Sequence, residues 1–164
     1  MLKRFILTGL LLALTATAAS AQTTIVLVRH AERTDSGAGG MASDPSLSEA
    51  GRARAESLAA MLKDTKLTAI FTTEFKRTQE TAAPAAAAHH VTPTVVKADE
   101  TTALVAKLKA AKGAVLVVGH SNTVPEVMTA LGVKPPVTIA DTEFDNLFIV
   151  ITGAKPTMVR LRYR

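Results

Sequence analysis

The chain has 164 residues, a hydrophobic fraction of 48% and no cysteine. This composition is typical of a globular domain, and it excludes a thiol nucleophile, a zinc site with cysteine ligands and a disulfide framework. The formal net charge of +5 falls to +3 without Lys3 and Arg4, which is too small an excess to indicate nucleic-acid binding. A small anionic substrate fits this charge better.

The first 21 residues have the features of a secretory signal peptide. Lys3 and Arg4 are followed by an apolar stretch over residues 5–19 and by the small-x-small triplet Ala19-Ser20-Ala21. That stretch is shorter than the ~20 residues that a membrane-spanning helix needs. The sequence therefore predicts cleavage before Gln22, export to the periplasm or medium without a stable membrane anchor, and one mature domain over 22–164.

Apolar runs and amphipathic stretches alternate along the predicted mature domain. Residues 24–28 predict a buried strand because they are apolar and rich in β-branched side chains, and residues 37–45 predict a loop because they are rich in Gly, Ser and Asp. Helices are further predicted over 48–63, 74–88, 101–111 and 123–131, and strands over 69–71, 94–96, 114–118, 147–151 and 158–163. This order predicts an α/β fold, a three-layer α/β/α sandwich with a mostly parallel central sheet.

Polar residues follow three of the predicted strands, where ligands bind in open α/β sheets. Arg29 and His30 end the first strand, Arg77 comes soon after the second, and His120 follows the fourth. A neutral imidazole can attack phosphorus in line, while arginine forks stabilise the negative charge on the equatorial oxygens. Two histidines and two arginines at one edge of the sheet therefore predict a site for a phosphoryl group.

Four segments resemble motifs of the histidine phosphatase superfamily, which has the phosphoglycerate-mutase-like fold. Arg-His-Ala-Glu over 29–32 is similar to the hallmark Arg-His-Gly-Glu, with Ala31 in place of the usual glycine. Segments 47–52, 71–82 and 118–122 are similar to the family's first-helix, second-arginine and second-histidine segments. The four segments follow the family's order and extend over nearly all of the predicted mature chain.

The resemblance implies a role for each matching position. His30 would be the nucleophile, and Arg29, Arg77 and His120 would form the phosphate pocket, with His120 as a charged or hydrogen-bonding clamp. Asn122 would be a further phosphate ligand near a helix start, where free N–H groups favour anions; a helix N-cap is the alternative.

A general acid must protonate the leaving oxygen, and many family members use a carboxylate between the second arginine and the second histidine. Glu100, in the one acidic pair of that interval, is predicted to be this acid; a charge at a helix start is the alternative. Glu32 and Arg33 lie two and three residues after His30 and are predicted to line the pocket mouth, with Arg33 binding phosphate. The alternative is that both are simple surface charges.

Metal binding and cofactors are not predicted. The adjacent pair His89-His90 has no carboxylate at ligand spacing, and neighbouring residues of a helix do not face one site. Solvated histidines at a helix end are the interpretation that we favour.

Hydrolysis of a small phosphate monoester through a phosphohistidine is the predicted function, and the physiological substrate is left open. A phosphate-ester binding protein without turnover and a phosphomutase are alternatives. The segment Gly119-His120-Ser121-Asn122-Thr123 also resembles the Gly-x-Ser-x-Gly turn of serine hydrolases, with Ser121 as nucleophile. However, no histidine follows Ser121 in the sequence, and Thr123 stands where the motif has its second glycine.

Overall fold

The computed structural model describes residues 22–34 and 44–163, so the predicted signal peptide and most of the predicted loop over 37–45 lie outside the described residues. In these two ranges the chain forms six strands and four helices. The elements are β1 (Thr23–Arg29), α1 (Glu49–Leu62), β2 (Leu67–Thr72), α2 (Lys76–His89), β3 (Thr94–Val95), α3 (Thr101–Ala110), β4 (Gly113–Gly119), α4 (Thr123–Ala130), β5 (Asn146–Ile151) and β6 (Thr157–Arg162).

All six strands belong to one sheet in the order β3-β2-β4-β1-β5-β6. Strands β1 to β4 run parallel to one another, and the hairpin β5–β6 adds two strands beside β1, of which β5 pairs with β1 in the antiparallel direction. The predicted mostly parallel sheet is therefore confirmed. Because Arg29 is in register with Gly119, the residues that follow β1 and β4 emerge side by side.

Helices cover both faces of the sheet, which confirms the predicted three layers. Ile25 and Leu27 belong to one apolar cluster with α3 and α4, whereas Val26 and Val28 belong to the other with α1 and α2. This alternation follows from the two-residue period of a strand and explains why β1 is apolar at every position from Ile25 to Val28. No helix in the described part of the chain is both long and apolar enough to cross a membrane.

The predicted element ends agree with the structure to within about two residues, the usual uncertainty of helix and strand ends. The stretch between α4 and β5 had no predicted element. It contains turns but neither a helix nor a strand, and its last part, residues 140–144, folds over the carboxyl end of β1.

Candidate active site

A cavity of about 680 Å³ lies at the carboxyl ends of β1 and β4. Most of the residues that the sequence predicts for the site line this cavity: Arg29, His30, Arg33, Arg77, His120 and Asn122. Glu100 does not line it. The strands of a parallel sheet thus bring together side chains that are up to 93 positions apart in the chain.

His30 is held immediately after β1 by two hydrogen bonds. Its backbone N–H donates to the carbonyl of Gly119 at 2.8 Å, and its ring Nδ1 lies 2.7 Å from the carbonyl oxygen of Ala31. A carbonyl oxygen can only accept, so Nδ1 carries the proton and the lone pair is on Nε2. This tautomer is the one in which Nε2 can act as a nucleophile.

Electrostatics keep both histidines of the cavity neutral. Burial lowers the pKa of His30 to about 3, and the positive charges of Arg29 and Arg77 act in the same direction. Burial, followed by Arg77 and Arg29, lowers the pKa of His120 to about 4. The two rings meet edge to face with their centroids 5.3 Å apart.

A chain of hydroxyl groups orients His120. The Thr78 hydroxyl donates to the carbonyl of Phe75 at 2.8 Å, so the contact of 2.9 Å between the two threonine hydroxyls needs the proton of Thr73. The Thr73 oxygen then accepts from Nε2 of His120 at 3.0 Å. His120 is therefore held as a hydrogen-bond donor.

The turn from β4 into α4 is tight. The Thr123 hydroxyl accepts a hydrogen bond from the backbone N–H of His120 at 2.8 Å. A Cβ on Gly119 would lie 2.7 Å from that same hydroxyl, which explains the glycine at this position. Asn122 directly precedes α4, but its side chain makes no capping hydrogen bond and lines the cavity instead.

Ala31, where the family motif has glycine, is fully buried directly after His30. Its N–H donates to the Thr81 hydroxyl at 2.9 Å, and that hydroxyl donates to the carbonyl of Arg77 at 2.6 Å. These bonds connect the segment after His30 to the first turns of α2. The position of His30 is thereby tied to the position of Arg77.

Arg29 is bound by the loop over residues 140–144. Its Nη1 donates to the carbonyls of Ala140, Asp141 and Glu143 at 3.0, 2.9 and 3.2 Å. Its guanidinium carbon lies 4.1 Å from the centroid of the Phe144 ring. The Nη1 end of this guanidinium is thus hydrogen-bonded to the main chain. Its Nε is buried and has no hydrogen-bond partner among the described residues.

Arg77 stands in the first turn of α2 with fewer partners. Its guanidinium carbon lies 4.2 Å from the centroid of the Phe75 ring, and Nη1 is 3.7 Å from Oδ1 of Asp44. Nε and Nη1 are buried, and within the described ranges neither makes a hydrogen bond. Buried cationic donors without acceptors favour an anion in the cavity.

Glu32 and Arg33 both line the cavity, as predicted for the mouth of the pocket. Arg54 binds both carboxylate oxygens of Glu32 at 2.7–3.0 Å. Burial raises the pKa of Glu32, but the hydrogen bonds and charge of Arg54 outweigh it and hold the pKa below its usual value. Arg33 is placed at the mouth by a β-bridge to Leu47.

Glu100 is exposed directly before α3, and its side chain makes no capping hydrogen bond. Its predicted role as general acid stays a prediction. His89 and His90 lie at the end of α2, where His90 has a left-handed φ of 54°. In residues 22–34 and 44–163 no group of three or more His, Asp or Glu side chains is arranged to hold a metal ion.

Sequence patterns do not reveal the aromatic rings under the two arginines or the place of Asp141 in the cavity. Phe75 and Phe144 have no sequence signal that sets them apart from core residues. Asp141 lines the cavity, and the Ser121 hydroxyl donates to its Oδ1 at 3.2 Å. A search for carboxylates after the second histidine, as well as before it, would have found Asp141.

Comparisons with known proteins agree with this geometry. The profile of the histidine phosphatase superfamily (branch 1) matches residues 25–101, which include Arg29, His30 and Arg77. No curated protein sequence matches the chain significantly.

Solved structures resemble the fold over most of its length. A mycobacterial glucosyl-3-phosphoglycerate phosphatase solved with VO3 superposes with a TM-score of 0.68 at 16% identity, over 86% of this chain and 99% of that one. The same phosphatase with inorganic phosphate gives 0.67 at 17% identity, over 83% and 95%. The protein histidine phosphatase SixA with tungstate gives 0.64 at 18% identity, over 85% and 96%. The matching profile thus assigns residues 25–101 to the histidine phosphatase superfamily, and the solved structures share the fold of the described chain.

Proposed function

We propose that the protein is a phosphatase that hydrolyses small phosphate monoesters through a phosphohistidine at His30. The observation that carries this proposal is the hydrogen bond from Nδ1 of His30 to the carbonyl of Ala31. It leaves an unprotonated Nε2 in a cavity lined by Arg29, Arg77 and His120. Nε2 attacks phosphorus, and the P–O bond to the leaving group breaks as the P–N bond forms.

The positive charges of the cavity support transfer of the phosphoryl group to His30 and then to water. The guanidinium groups of Arg29 and Arg77 stabilise the charge on the equatorial oxygens in the transition state. His120 joins them by moving its Nε2–H from the Thr73 oxygen to a phosphoryl oxygen. Water then attacks the phosphohistidine, the P–N bond breaks, and orthophosphate leaves. Arg33 and Asn122, which line the same cavity, are proposed to bind substrate oxygens at its mouth.

The structural relatives support the choice of ligand. They hold phosphate, VO3 or tungstate, and all three are oxyanions that fit a pocket of fixed cations. Since the cations of this cavity are arginines, we expect turnover to survive treatment with EDTA. A chelator-sensitive rate that a divalent ion restores would contradict this expectation.

Trapping the intermediate tests the proposal. Rapid acid-free quenching with ³²P-labelled p-nitrophenyl phosphate should give protein-bound label that is stable to alkali and labile to acid. His30→Ala should abolish both the label and turnover, whereas the matched variant His89→Ala, at the end of α2, should retain both. Phosphate binding without label or turnover in the unmutated protein would instead indicate a binding protein, and label on Ser121 would indicate a serine hydrolase.

We further propose that the protein is exported and that its leader is removed before Gln22. Expression of the full chain with fractionation of periplasm and medium tests this. The expected result is a secreted or periplasmic protein with an N-terminal residue derived from Gln22. Retention of residues 1–21 on a membrane-bound protein would contradict the proposal.

A further inference from the structure

The cavity contains two carboxyl groups among its described lining residues, Glu32 and Asp141. Glu32 is unsuited to donate a proton because Arg54 binds both of its oxygens and holds its pKa low. A carboxylate in a bidentate ion pair remains deprotonated in the pH range in which phosphatases work. Asp141 is therefore the remaining candidate for a proton donor among these two carboxyl groups.

The main chain around Asp141 is fixed. Arg29 binds its carbonyl and those of its neighbours Ala140 and Glu143. The loop is also closed on itself, because the Ala140 N–H donates to Oε2 of Glu143 at 3.0 Å and the Glu143 N–H donates to the carbonyl of Ala140 at 2.9 Å. Asp141 is thus presented by a loop that the phosphate-binding arginine itself positions.

The side chain of Asp141 has one engaged oxygen. The Ser121 hydroxyl, directly after His120, donates to Oδ1. No ion pair to this carboxylate is formed within residues 22–34 and 44–163. Since Oδ1 accepts the serine proton, a proton on the carboxyl group belongs on Oδ2, which can turn toward a bound ligand.

The direction of attack gives Asp141 its place in the reaction. His30 is buried at the floor of the cavity, whereas Asp141 is exposed at its mouth. In an in-line displacement the leaving oxygen departs on the side opposite the attacking nitrogen, which here is the mouth. The carboxyl group of Asp141 is on that side.

We propose that Asp141 is the general acid of the phosphatase reaction, with Ser121 as a positioning residue; this rests on the function proposed above. In the first step Oδ2 gives its proton to the leaving oxygen while the P–O bond breaks and the bond from phosphorus to Nε2 of His30 forms. In the second step the Asp141 carboxylate takes a proton from water, whose oxygen bonds to phosphorus as the P–N bond breaks.

Leaving-group dependence tests the role of Asp141. The Asp141→Asn variant should lose on the order of 10²-fold or more in kcat/KM on 2-glycerol phosphate, whose alkoxide is a poor leaving group. It should lose less than about tenfold on p-nitrophenyl phosphate, which needs no proton on its leaving oxygen. Asp64→Asn makes the same chemical change at an exposed turn after α1 and should change neither rate.

Ser121→Ala provides a second, independent measurement. It should produce the same selectivity for the activated ester with a smaller loss, and the two substitutions together should lose no more than Asp141→Asn alone. A purely structural effect would lower kcat/KM by the same factor on both substrates. Thermal melting of each variant separates loss of folding from loss of chemistry.

The outcomes distinguish this proposal from the proposed function. Suppose that the unmutated protein forms phosphohistidine. If Asp141→Asn then lowers kcat/KM equally on both substrates, or on neither, the role of Asp141 is overturned while the proposed phosphatase activity stands. The same holds if the selective loss occurs in Glu100→Gln and not in Asp141→Asn. If the unmutated protein forms no phosphohistidine, the proposed function fails first and this role fails with it.

Discussion

The cavity has two cationic sides that look alike but are built differently. On the loop side, the guanidinium of Arg29 lies 4.1 Å from the Phe144 ring and donates to three main-chain carbonyls. On the helix side, the guanidinium of Arg77 lies 4.2 Å from the Phe75 ring, but its buried Nε and Nη1 have no hydrogen bond among the described residues. The same residue type therefore has a partly structural role on one side and is left for a ligand on the other.

This difference predicts where stability and function separate. A buried donor without an acceptor costs about 1–3 kcal/mol, and an anion that supplies the acceptor removes that cost. On the helix side, this cost is removed only when a ligand binds to Arg77. On the loop side much of the hydrogen bonding of the arginine already stabilises the folded chain.

The largest expected effect is on catalysis. Arg77→Met should lower kcat/KM for p-nitrophenyl phosphate by on the order of 10²–10³-fold, since a preorganised donor to the transition state is lost. Arg77→Lys should recover little, because an ammonium cannot reproduce the planar fork. Steady-state kinetics check this, and retention of activity within about tenfold in Arg77→Met would contradict the role of the helix side.

The two histidines lie between the two sides, and their titration is the next largest effect. The pKa values of about 3 for His30 and about 4 for His120 lie below the unfolded value of 6.5, so the unfolded state binds more protons as the pH falls. The free energy of unfolding should therefore decrease by about 3 kcal/mol between pH 6.5 and pH 5. Urea denaturation at several pH values measures this slope.

The matched control for this slope is the double variant with His30→Gln and His120→Gln, which should have a much flatter profile over the same range. An equally steep profile in the double variant would show that other groups cause the pH dependence.

Stability in the absence of ligand separates the two sides directly. Arg29→Met should lower the free energy of unfolding by about 2 kcal/mol or more, because the hydrogen bonds from a charged donor to the 140–144 loop are lost. Arg77→Met should leave stability unchanged or raise it, because it removes a buried charge with few partners. Urea denaturation in phosphate-free buffer checks both, and equal losses would break the comparison.

The smallest effect concerns the rings under the guanidinium groups. Phe75→Leu should weaken competitive inhibition by inorganic phosphate a few-fold, since a cation–π contact is worth about 0.5–2 kcal/mol. Phe144→Leu should weaken it less, because three carbonyls still hold Arg29 in place. Inhibition constants for the two variants measure the difference, and a larger effect of Phe144→Leu would contradict it.

The sequence predicted those features that depend on local pattern. Most of the helices and the longer strands have an apolar period or an apolar run that can be recognised without tertiary information, and Arg29, His30 and His120 stand at the ends of such runs. Because parallel strands end at one edge, the convergence of these side chains on one cavity could be predicted as well.

The rest depends on tertiary contacts that no local pattern encodes. The 140–144 loop has no periodicity, and its position follows from hydrogen bonds with Arg29, more than 100 residues earlier in the chain. Glu100 and Asp141 are equally unremarkable as acidic residues beside turns. Only the fold distinguishes them, because one lines the cavity and the other does not.

The central position of β1 also has a consequence for folding kinetics. Its partners lie far along the chain, since Thr23 is in register with Gly113 and Thr24 with Ile151. Pairings between such distant segments form slowly, because a long loop must close before any contact compensates for the lost chain entropy. Helical signal should therefore return early in refolding, whereas enzymatic activity should return only in the last phase, when β5 has joined β1 and the 140–144 loop can reach Arg29.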